Sequence, residues 1–201
     1  MNGGFANYLG AKDNKFFSIA YVIYYKINVI GVMNMATFGF FSGVVTAISN
    51  FWTGAEAPSE CYKLMSVQNM DGNIVNFVIM PTTYFVDHVM VNIGNPVTGF
   101  YDANAPAPLI YPPQYRAVVM AKASGNQNIK VDFFNNQLVS SDGTLKLNIS
   151  PLTQIIQENE QAFTGNPANK NLVVIYGTVK IGNPYQTVPD KIIVLCTYNV
   201  E

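Results

Sequence analysis

After Met35 the sequence is a succession of short runs in which apolar and polar side chains alternate, each broken off by Gly, Pro, Asn or Asp. Period-two alternation places apolar side chains on one face of an extended backbone, a pattern that suits no helix. It predicts strands over residues 43–49, 63–68, 74–79, 97–101, 115–121, 130–134, 145–149, 172–176 and 191–196, and leaves residues 152–160 as the one short helical stretch.

The runs form two matching series. Asp71-Gly72 precedes Ile74, Val75, Phe77 and Ile79, then Pro81, Thr83, Phe85 and Val86; Asp142-Gly143 precedes Leu145, Leu147 and Ile149, then Pro151, Thr153, Ile155 and Ile156. Farther on, the run from Val97 to Tyr101 answers that from Leu172 to Tyr176. Pro112-Pro113-Gln114 before Val118-Val119-Met120 likewise answers Pro184-Tyr185-Gln186 before Ile192-Ile193-Val194. Asp-Gly turns a hairpin because its glycine accepts positive φ without strain, and Pro ends a strand because it lacks the ladder donor. The expectation is an all-β fold made of two similar OB-like barrel units in tandem, each of about five strands. Their bounds are 35–123 and 124–201, behind an N-terminal extension, 1–34. One β-sandwich whose halves share a core is the alternative, since it presents the same alternation.

A chain of 201 residues has ample length to bury a core. Only 11% of its residues are charged, against about 25% in ordinary soluble proteins, so amides, hydroxyls and apolar groups must cover the surface. Net charge −1 and a pI near 5.8 argue against a nucleic-acid footprint, which needs Lys and Arg to displace phosphate counterions. A polybasic membrane patch is absent as well. Cys61 and Cys196 are too far apart for a zinc ribbon or a redox CxxC motif. They allow a single disulfide; the reading preferred in the absence of any oxidising signal is two buried free thiols.

Residues 16–41 are apolar enough to suggest a membrane anchor, but Lys26 and Asn28 interrupt the run and its Tyr, Ile, Val and Phe favour a strand. No small-residue cleavage pattern of a signal peptide follows. Back-translation gives a second reading: Gly31-Val32 can be encoded with GGAG, at ribosome-binding spacing from an ATG for Met35, so residues 1–34 would precede the true start. Both readings stand. A membrane partner is implied only if residues 1–34 are genuine, and the compartment is left as cytoplasm or spore and cell surface.

His88 is the lone histidine, and no GxSxG elbow accompanies it, so a local pairing with its neighbours is expected rather than a relay. Zinc and non-haem iron centres usually need two or more imidazoles or clustered thiols. Phosphate loops of the GxGxxG or Walker type do not occur, and no cofactor is implied. Asp71, Asp87, Asp102, Asp132 and Asp142 could supply a catalytic pair, although two of them sit in Asp-Gly turns, where the side chain serves the backbone. The loop YDANAPAPLIYPPQYR, residues 101–116, is stiffened by four prolines and carries Arg116, the only arginine. A guanidinium suits planar, multi-donor contacts. Arg116 is expected to pair with Asp102 or Asp87 and hold the loop; if Tyr101, Asp102, Tyr111, Tyr115 and Arg116 instead stand open together, they form a ligand-binding surface.

The segments NFVIMPTTYFVD (76–87), GFYDANAPAPLIYPPQYRAVVMA (99–121), VDFFNNQLVSSDGTLKLN (131–148), FTGNPANKNLVVIYG (163–177) and QTVPDKIIVLC (186–196) resemble a family of uncharacterised proteins from clostridia and related anaerobic Firmicutes. The resemblance spans nearly everything after Gly43, and it implies no activity and no catalytic residues.

The sequence is compatible with four functions. The leading one is a non-enzymatic β-barrel module for binding or structure. The others are a self-assembling spore or cell-surface subunit, a hydrolase using Asp carboxylates, and an OB-like binder of single-stranded nucleic acid, which the charge disfavours.

Overall fold

The Asp71-Gly72 turn forms where its residues predict it. Gly72 takes φ +84 and closes the hairpin between β2 (Lys63–Gln68) and β3 (Ile74–Ile79), whose ladder runs from Lys63 opposite Ile79 to Gln68 opposite Ile74. The Asn69 side-chain oxygen ties the turn by accepting the N–H groups of Asp71 and Asn73. The molecule is a computed structural model describing residues 36–51, 59–125 and 127–196. The readings of residues 1–34 fall outside that range.

β1 (Phe38–Asn50) starts earlier than its alternation suggests, because it serves two partners. Its first half pairs antiparallel with β5 (Pro96–Asp102), its second with β2, across a register break between Val45 and Ala47. Beyond β3 the chain turns a corner into β4 (Tyr84–Phe85). Later, β6 (Gln114–Arg116) lies parallel to β3, and β7 (Val119–Lys122) parallel to β4. One bent segment is thus stacked on another as successive rungs.

Thr83 pins that corner. Its hydroxyl accepts the Met80 N–H at 2.9 Å and donates to the Ala117 carbonyl at 2.8 Å on the next rung. Farther along come β8 (Asn128–Phe134), β9 (Leu145–Leu147), β10 (Gln154–Gln157), β11 (Lys170–Tyr176), β12 (Tyr185–Thr187) and β13 (Lys191–Val194). β12 lies parallel to β9 and β13 parallel to β10. The Thr153 hydroxyl accepts the Ser150 N–H at 3.1 Å and donates to the Pro189 carbonyl at 2.8 Å.

The fold is therefore all-β, but it is not a pair of five-stranded OB-like barrels. One open sheet has the order β4-β7-β5-β1-β2-β3-β6, a second the order β10-β13-β11-β8, and β12-β9 form a two-stranded piece. Parallel rungs joined by pinned corners give it the character of a β-solenoid. The barrel expectation fails because alternation reports which face is buried and not which strand is the neighbour; the parallel pairings join segments far apart in sequence. The single-stranded nucleic-acid reading loses the barrel on which it rested. Residues 152–160 are not helical either: Gln154–Gln157 is a strand, held by β13.

The described residues group as one unit, with three layers of core. Tyr84, Phe100, Val119 and Ala121 pack with Val131, Val173, Ile175 and Ile193. Behind the first sheet lie Val45, Met65, Phe77, Val97 and Met120, and behind the second lie Phe134, Leu145, Leu172, Val174 and Ile192. Neighbouring residues such as Val173 and Val174 thus point into different cores. That is why residues 118–121 and 172–175 are unbroken apolar runs: a strand buried on both faces shows no alternation. Gly99 belongs to the same packing, since a Cβ there would stand 2.5 Å from the Phe77 ring.

Candidate functional site

The Pro-rich loop brings some of its expected residues together and separates others. Tyr101 on β5 and Tyr115 on β6 stack face to face, centroids 3.9 Å apart and rings 8° from parallel. Burial, then the charge and hydrogen bond of Tyr115, push the Tyr101 hydroxyl above its ordinary pKa. Tyr111 is exposed at the loop tip beside Leu109 and Ile110.

The expected ion pair of Arg116 with Asp102 or Asp87 is not made. Asp102 accepts the Asn104 N–H at 2.9 Å within its own turn, and Asp87 is taken by Lys191 at 2.7 Å. Asp102, Tyr115 and the exposed Arg116 do line one small cavity, about 130 Å³, with Met80 and Pro106. The loop therefore offers a guanidinium without an ion-pair partner among the described residues, beside tyrosine faces already used on each other.

A far larger cleft, about 840 Å³, opens beside the corner at Pro81–Thr83. Ile48, Met65, Ile79, Phe85 and Val91 give it an apolar wall, and Glu158, His88 and Lys63 give it polar ends. Asp87 and His88 stand together in left-handed conformation, φ 56 and 48. Asp and His visit that region more readily than most residues, yet two in succession hold strain that surrounding contacts must offset. Asp87 reaches Lys191 on β13, and His88 Nε2 lies 3.5 Å from Glu160, itself at φ 64. The His88 ring also meets Tyr84 edge-on at 5.4 Å. His88 thus keeps a local contact, with Tyr84, of the kind expected, and adds a distant partner, Glu160, that the sequence did not indicate.

Both cysteines are free, as the preferred reading had it, rather than joined in a disulfide, but they are exposed and not buried. Cys61 ends a 3-10 turn before β2, outside any ladder, and Cys196 lies beyond the last residue of β13, where it lines the large cleft. No hydrogen bond joins Cys196 to His88 among the described residues, so no thiol–imidazole relay is set up.

A second cleft, about 520 Å³ and sharing no residue with the first, contains two of the five aspartates. Lys130 Nζ lies 2.5 Å from Asp142 and 3.6 Å from Asp132. Ser141 donates to Asp132 at 2.5 Å. Burial pushes Asp142 up, but Lys130, the Ser140 hydroxyl, and the Thr144 N–H and hydroxyl hold it well below the usual carboxylate range. A carboxyl so firmly ionised is no general acid at neutral pH. Nor do the described residues contain a metal-binding group of three or more His, Cys, Asp or Glu.

Sequence reasoning did not find the large cleft, because His88, Glu158 and Cys196 come from separate segments and no motif links them. No protein-family model matches the chain, and no curated protein matches it either.

Proposed function

We propose that this chain is a non-enzymatic β module that binds a small apolar or amphipathic molecule in the cleft beside Asp87 and His88. The observation that carries this reading is the strained pair itself: two successive left-handed residues, the second of which lines an apolar-walled cleft, fastened by Lys191 and Glu160. Backbone strain persists where surrounding contacts over-determine it, and it gathers at ligand clamps. A cleft of this size with a mostly apolar wall and a few polar ends is the usual form of a small-molecule site.

The test is binding of 8-anilinonaphthalene-1-sulfonate, with Met90→Glu as the probe substitution. Met90 lines the cleft and is largely exposed, so the fold should tolerate the change while the dye's affinity falls about tenfold. Unaltered dye binding in a folded Met90→Glu protein would remove the cleft from consideration.

The two halves are read as copies of one unit. Support comes from the matching Thr83 and Thr153 corners and from the shared antiparallel-then-parallel order of β1-β5-β7-β4 and β8-β11-β13-β10. The resemblance to uncharacterised clostridial proteins is kept as a proposal about family and adds no activity. A self-assembling subunit is the second reading, favoured by the nearly full exposure of Leu109 and Ile181 on a chain of low charge. Light scattering at rising concentration separates the two, since a persistent monomer removes assembly.

A further inference from the structure

We propose that the second cleft, about 520 Å³, is a binding site for a neutral saccharide. Phe40 on β1 and Tyr185 on β12 line it, 68% and 49% exposed. Phe40 is backed by Phe100, ring centroids 6.2 Å apart, so one side of the ring is supported while much of it stays open to solvent. An exposed, braced aromatic ring in a concave site is suited to the apolar C–H face of a pyranose, because it loses little freedom on binding.

The rest of the lining supplies what a polyol requires. The hydroxyls of Ser42 and Thr98, 2.8 Å apart, lie with Asn128, Ser141 and Thr144 along the same cleft, and these groups both donate and accept. Lys130 is held by Asp142 and by the Thr144 hydroxyl at 3.2 Å, which makes the polar floor rigid in advance of any ligand. Charge narrows the class. One ammonium faces two carboxylates, Asp132 and Asp142, so the cleft has no excess positive charge to hold a phosphate or carboxylate. Lys130 in turn disfavours a cation on the floor. Hydroxyl groups, able to donate to carboxylate oxygens and accept from the ammonium, satisfy both signs at once. The volume lies within the usual range for small-ligand sites, about 300–1,000 Å³, and suits one or two sugar rings.

The experiment is saturation-transfer NMR on the full chain with N-acetylglucosamine, chitobiose, cellobiose and maltose as probes at millimolar concentration. At least one should receive saturation at its ring C–H protons. Phe40→Ala and Tyr185→Ala should each weaken that sugar about tenfold, whereas Met90→Glu, in the other cleft, should leave it unchanged. Tyr185→Leu keeps the bulk and discards the flat face, so it must weaken binding as well if stacking is the cause; circular dichroism checks that each variant is folded. The proposal is overturned if none of the four sugars receives saturation, or if a folded Phe40→Ala/Tyr185→Ala protein binds as the parent does. Because the two clefts share no residue, neither result bears on the dye experiment.

Discussion

Tyr84 shows how much chemistry one side chain can gather without forming a catalytic centre. Burial is the largest influence on its hydroxyl, followed by the charges of Asp87, Glu160 and Glu158, and together they push its pKa up to about 12 from 10.0. The folded state thus prefers the neutral phenol more strongly than the unfolded chain does. That preference stabilises the fold fully below pH 10 and is lost as pH rises through about 12. Comparing the parent with Tyr84→Phe should reveal one missing phenolate step near pH 12, and the parent alone should lose this increment of stability between pH 10 and 12. A Tyr84 step at the ordinary tyrosine pH would mean that the residue is not enclosed as described. At this scale little of the cleft could be read from the sequence. The left-handed turn at Asp87 and His88 has no glycine to announce it, and the acidic neighbours Glu158 and Glu160 approach Tyr84 only through folding.

Among the elements, the corners carry more than their length suggests. In Thr83→Val the methyl group fits where the hydroxyl was, but the Met80 N–H loses its acceptor and the Ala117 carbonyl its donor. Leaving such groups unpaired should cost about 1–3 kcal/mol, read as a lower denaturant midpoint with unchanged slope. Thr153→Val should cost less, because Thr153 is half-buried while Thr83 is buried. Equal and negligible effects would show that the corners are held by their ladders alone. The contrast between these corners and the β2–β3 hairpin explains which elements could be foreseen. Lys63–Gln68 and Ile74–Ile79 were read to the residue, because alternation and an Asp-Gly turn are local signals that agree with the ladder formed. Tyr84–Phe85, Gln154–Gln157 and Tyr185–Thr187 were missed or misread, because each is held by a parallel partner about 30 residues or more away in sequence and short strands carry little pattern of their own.

For the molecule as a whole, the central core decides whether the halves can exist apart. β5 and β7 bury Phe100, Val119 and Ala121 on one face and Val97 and Met120 on the other, while β11 and β13 split Ile175 from Val174 and Ile193 from Ile192 in the same manner. A half on its own would keep its outer core and expose the inner face, a large apolar surface whose exposure costs about 25 cal/mol for each Å². Unfolding should accordingly be one cooperative step despite the two-part sequence. Ile175→Ala, at a position 2% exposed, should lower stability by about 2–5 kcal/mol. It should do so equally for amide protons of β5 and of β11 in native-state hydrogen exchange, since both strands lose protection only when the shared core opens. If Ile175→Ala instead accelerated exchange in β11 and left β5 at its parent rate, each half would be stable by its own core, and the inner face would be an interface between independent units rather than the centre of one fold.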